Sequence, residues 1–149
     1  MGIEAVKYNA KVFWLQEATA EFWFTVYLRV LKNKANLAEW EVDFAKKIEE
    51  DITHGWIIGT LLCFDEYLID QSRLDKFILR IEEVNEYIYN LCKQKGNEES
   101  IAIDEFDWRM QLDILIPEME MFYKFFLHPE EVPNGTYYKY TIGKWVQDC

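Results

Sequence analysis

Residues 106–127 read FDWRMQLDILIPEMEMFYKFFL. Phe106, Trp108, Met110, Leu112, Ile114 and Ile116 are apolar at every second position, and Asp107, Arg109, Gln111 and Asp113 fill the gaps. A period of two predicts a strand with one dry face and one polar face. At Pro117, which cannot donate to a sheet ladder, the phase flips: Met119, Met121, Tyr123, Phe125 and Leu127 are odd-numbered. A β-bulge in a continuous, bent strand produces such a flip. A tight turn across Ile116 to Met119 would make two paired strands instead, but those residues offer no Gly or Asn. The bent strand is the reading adopted, with the hairpin as its alternative.

Outward from this stretch the pattern changes. Downstream, His128 to Gly135 reads as a loop closed by the Asn134-Gly135 turn signal, followed by a last strand from Tyr137 to Val146. Upstream, Ser72 with Asp75 predicts a capped helix with Leu74, Phe77, Ile78, Ile81, Val84, Ile88 and Leu91 as its buried stripe, stopped by Gly96. Trp56 to Asp70 is apolar around most of a helical circumference and predicts a central helix. Asn36 with Glu39 opens another, carrying Leu37, Trp40, Phe44, Ile48 and Ile52 inward and Glu39, Glu41, Asp43, Glu49, Glu50 and Asp51 outward. Residues 12–31, rich in aromatic and β-branched side chains, predict two strands broken near Glu17 to Glu21. One long helix is the competing reading.

Strands, three helices and strands in that order predict an α+β fold: a mostly antiparallel sheet from the N- and C-terminal strands, packed against a central block of about three α-helices. A chain of 149 residues with 50% hydrophobic content predicts a single globular domain over 1–149.

The formal net charge is −11, from 27 acidic and 16 basic residues. Such a field disfavours nucleic acid and anionic membrane surfaces, which are bound largely through Lys and Arg. It favours a basic protein partner. No apolar run approaches the roughly 20 residues that span a bilayer. MGIEAVKYNAKVFW lacks a secretory signal pattern, and three scattered cysteines, Cys63, Cys92 and Cys149, predict reduced thiols and a cytoplasmic location.

Catalytic motifs are absent. His54 and His128 have no second His or Cys at ligand spacing, no GxSxG elbow or phosphate-binding glycine loop occurs, and Cys63 lies in an apolar run that discourages a thiolate. No metal, cofactor or catalytic residue is therefore expected. Carboxylates are the abundant chemistry. Residues 97–121 hold eight acids and one base, and residues 36–71 hold nine acids and two lysines. The candidate partner-binding residues are accordingly Asp104, Glu105, Asp107, Arg109, Asp113, Glu118 and Glu120 in the strand region, with Glu39, Asp43 and Glu50 on the acidic helix. Exposed singly each contributes little. On desolvated surfaces beside aromatic anchors they become hot spots.

In being small, acidic, aromatic-rich and free of catalytic motifs, the chain resembles the immunity proteins of bacterial toxin–immunity pairs, in general character over its whole length and not by any motif. The resemblance implies a stoichiometric inhibitor whose acidic face covers the basic active-site cleft of a cognate toxin, often a nuclease. Two other classes fit the composition. One is a small-molecule-binding or enzymatic α+β domain with an aromatic pocket. The other is a structural or adaptor subunit that associates through a strand edge.

Overall fold

Strand β1 (Ile3–Tyr8) and strand β2 (Lys11–Gln16) form an antiparallel hairpin in register Ile3 with Gln16 through Tyr8 with Lys11. These come from a computed structural model that describes residues 3–53, 61–94, 100–103, 108–137 and 140–141. The connecting pair Asn9 and Ala10 has φ of 52° and 64°, the left-handed geometry that matches a two-residue loop to strand twist. Asn tolerates it readily; Ala pays about 1 kcal/mol for its Cβ. The Asn9 N–H is held by the Asp65 carboxylate at 3.0 Å.

Val12, Phe13, Trp14 and Leu15 are all buried, which explains a continuous apolar run where alternation would mark a half-exposed strand. Phe13 and Leu15 enter the main core, whereas Val12 and Trp14 join Ala5 and Tyr137 in a smaller cluster. The sheet therefore buries side chains on both faces. Its order is β3-β1-β2-β6-β7, with β3 at Leu61–Cys63, β6 at Thr136–Tyr137 and β7 at Tyr140–Thr141. β3 runs parallel to β1, and β6 runs parallel to β2. The α+β class holds, but the sheet is mixed and not mostly antiparallel. Helices intervene between β1 and β3 and between β2 and β6, the long connections that parallel pairing requires.

The second strand expected within 12–31 is instead helix α1 (Glu17–Lys32). Phe22, Trp23, Phe24, Val26, Tyr27 and Leu31 are all buried, so burial on several sides overrides poor helix propensity. Trp23 meets Phe122 edge to face at 5.0 Å, and Tyr27 meets Phe44 at 6.2 Å. The acidic helix α2 (Glu39–Thr53) and the long helix α3 (Gln71–Gln94) match expectation closely. For α3 the working cap is Asp70, whose carboxylate accepts the Arg73 N–H at 2.8 Å, and not Ser72. Between them, the helix expected from Trp56 to Asp70 is overturned over its described part, where β3 is followed by one 3-10 turn at Phe64–Glu66.

The largest correction concerns the opening stretch. Among its described residues only Trp108–Gln111 is a strand, β5, paired with β4 (Ser100–Ile103) in a separate two-stranded sheet. Leu112–Leu127 is helix α4, with Pro117 inside it. Leu115, Met119, Phe122 and Phe126 are buried, a spacing of four, three and four that makes one helical stripe. Neither the bend nor the hairpin at Pro117 forms. Of the expected last strand only Tyr137 and Tyr140–Thr141 fall within described residues, and β6 pairs with β2 instead of the preceding segment. The Asn-Gly turn forms as read: Gly135 has φ 85°, its N–H donates to the Val12 carbonyl at 2.8 Å, and Asn134 Oδ1 accepts the Val12 N–H at 2.8 Å.

Candidate functional site

Helices α3 and α4 pack together and leave a cleft of about 360 Å³ lined by Glu82, Asn85, Glu86, Tyr89, Asn90, Lys93 and Tyr123. Six of these lie on one flank of α3 because they recur at three- and four-residue spacing. Its floor is Asn85, only 6% exposed. The Trp23 indole N–H, a donor only, bonds to Asn85 Oδ1 at 2.9 Å. That bond fixes the orientation of the amide, so the Asn85 Nδ2 hydrogens face the cleft. Nδ2 bonds no other described residue and is not among the buried polar atoms left unpaired, so solvent in the cleft reaches it.

The walls are aromatic and acidic. Tyr123 donates its hydroxyl to Glu82 Oε2 at 2.6 Å; this bond, with burial second, pushes the phenol up to about 12. Burial, then the nearby Glu120 carboxylate and Cys92, raises Tyr89. Two carboxylates, Glu82 and Glu86, thus line a cleft with Glu120 near its Tyr89 wall, and among the described residues its one lining cation is Lys93. The arrangement offers hydrogen-bond donors at its floor, ring faces on its sides and negative charge at its rim.

The expected partner-binding residues are scattered by the fold. Glu39, Asp43 and Glu50 are exposed on α2, and their spacing puts them on one face. Glu120 is exposed on α4, near enough to Tyr89 for its charge to raise that phenol's pKa. Asp113 is exposed in the first turn of α4 and not on a strand. Arg109 belongs to β5, while Asp104, Glu105 and Asp107 lie outside the described residues. Glu118 is a correction. It is 0% exposed, and presents nothing to a partner. Gln16 N–H donates to Glu118 Oε2 at 3.3 Å, and Glu118 Oε1 is buried without a partner among the described residues. Burial pushes its pKa up to about 7, against the smaller pull of Thr19 and the Gln16 amide.

Glu41, expected outward, is likewise buried. Arg80 donates to it through Nε at 2.9 Å and Nη2 at 3.4 Å, and through Nη1 to Glu83 at 3.0 Å. Lys34 also pairs with Glu83. Burial acts to raise the Glu83 pKa, but Lys34 and Arg80 together lower it. This network ties α2 to one flank of α3, while the Tyr123 to Glu82 bond ties α4 to the other. The acids of α2 and of the cleft are therefore separate surfaces on either side of α3.

His128, Glu130 and Glu131 converge within 4.8 Å, all exposed. Cys63 is disulfide-bonded and Cys92 is a free thiol whose pKa burial raises. The expectation of reduced thiols fails at Cys63, because an odd cysteine count does not forbid one bridge. No helix among the described residues is long and apolar enough to cross a membrane.

Sequence reasoning missed the cleft. The signal it carried was Asn85, an amide one residue after Val84 and three before Ile88 on a buried stripe, where an apolar residue would be ordinary. Compared with protein-family models, curated proteins and solved structures, the chain matches none.

Proposed function

We propose that this chain is a non-catalytic binding protein that neutralises a basic protein partner, in the manner of an immunity protein covering the active site of a cognate toxin such as a nuclease. The observation that carries this reading is the placement of carboxylates beside tyrosines in the α3/α4 cleft, within a chain of net charge −11. Opposite fields accelerate encounter and reject wrong partners. Aromatic anchors beside the charges supply the desolvated contacts that hold a complex. The compartment follows the partner; Cys63 removes the reduced-thiol argument for the cytoplasm.

The test is neutralisation. The chain is titrated into an activity assay of a basic toxin that co-purifies with it, and inhibition that saturates at one equivalent supports the reading. Undiminished toxin activity at a several-fold excess removes it.

A second reading rests on the cleft alone. Its volume of about 360 Å³ falls in the range of small-molecule pockets. Saturable quenching of tyrosine and tryptophan fluorescence by a small ligand, without a protein partner, would favour that class.

A further inference from the structure

We infer that the α3/α4 cleft is the receptor for an arginine-bearing segment of the protein partner, its floor amide reading a backbone carbonyl and its acidic wall reading the guanidinium. The inference rests on the protein-binding reading and names the chemistry of the contact. Three observations converge on it. Asn85 is nine-tenths buried, its acceptor is already taken by Trp23, and its two Nδ2 hydrogens lack a partner among the described residues. A donor at the floor of a cleft, bonded only to water, is free to exchange that water for an acceptor on a ligand. A carbonyl supplies one; a guanidinium, which only donates, does not.

Charge sorts the rest of the segment. Glu82 and Glu86 stand one helical turn apart on α3, and Lys93 lies two turns beyond Glu86. The negative end of the cleft is thus distinct from its positive end. Tyr89 and Tyr123 border the cleft. A planar guanidinium can lie against a ring face while bonding a carboxylate edge, which a lysine ammonium does less well. Arginine is the side chain that uses both features.

The experiment uses the full chain and two probes, acetyl-arginine-N-methylamide and its neutral counterpart acetyl-citrulline-N-methylamide, followed by NMR. The arginine probe is expected to move the Asn85 side-chain NH₂ resonances saturably and to bind roughly tenfold more tightly than the citrulline probe. Glu82→Gln with Glu86→Gln, both on the surface, should remove that preference. Glu49→Gln with Glu131→Gln, two exposed acids that do not line the cleft, removes the same charge elsewhere and should leave probe affinity within about twofold. Equal affinity for the two probes, an unmoved Asn85 NH₂, or equal losses in the two double variants overturns the inference. Toxin neutralisation is read separately. A chain that neutralises toxin but ignores the probe loses this inference alone, and a chain that binds the probe but spares the toxin loses only the proposed function.

Discussion

Asn85 Oδ1 accepts the indole N–H of Trp23 at 2.9 Å across 62 residues of sequence. The bond joins the floor of the α3/α4 cleft to the aromatic core, where Trp23 stacks on Tyr27 at 5.7 Å and meets Phe122 edge to face. Replacing Asn85 by Leu leaves a buried donor unpaired and should destabilise the fold by about 1–3 kcal/mol. Urea unfolding checks this. The midpoint should fall while the denaturant slope is unchanged.

Glu118 makes stability depend on pH in a direction unusual for a carboxylate. Its folded pKa is raised to about 7 from an ordinary value of 4.5. Between those values the folded state holds a proton that the unfolded chain has released. The stabilising contribution is complete below about pH 4.5 and is lost as pH rises through about 7, amounting to about 3 kcal/mol. Glu118→Gln should flatten this limb and leave the variant more stable than the parent at pH 8. An unchanged slope of stability against pH in that variant contradicts the assignment.

The pairing of Arg80 with Glu41 predicts strong non-additivity. Glu41→Leu alone strands a buried guanidinium, whose remaining carboxylate contact is Glu83, and should cost about 3–5 kcal/mol. Adding Arg80→Met removes the stranded charge and should restore most of the loss. Additive losses in a double-mutant cycle would show that the two side chains act independently.

Pro117 lies inside α4, where it cannot donate to the carbonyl of Asp113 one turn back. Pro117→Ala should therefore stabilise the chain, by roughly 1 kcal/mol or more. A bent strand at this position would show no such gain, so thermal unfolding of this one variant separates the helix from the strand reading.

The legible parts of this fold are those where one face is dry and the other wet. In α3, Phe77, Ile81, Val84 and Ile88 are buried, and their spacing alone declares a helix. α1 hid its period because Phe22, Trp23 and Phe24 are all buried together, leaving propensity to argue for a strand. In α4 two periods coexist. Leu112, Ile114 and Ile116 fit alternation, but Leu115, Met119, Phe122 and Phe126 fit a helix, and Leu115 stands where a strand required a polar residue. The candidate site fared worse, since the meeting of Tyr123 with Glu82 spans 41 residues and depends on helix packing that no local pattern encodes. Glu41 and Glu118 read as surface because acids usually are. Glu41 is held inside by Arg80, and Glu118 by a helix face otherwise apolar.

Under the proposed function, a basic partner is recognised electrostatically by this acidic chain. The measurement is the association rate constant with the basic partner of the proposed function as ionic strength rises from about 0.02 M to about 0.5 M, which shortens the screening length several-fold. The rate should fall by about tenfold or more in the wild type and less steeply in the Glu82→Gln/Glu86→Gln variant. A rate that is flat across the salt range, and the same in both proteins, contradicts the account.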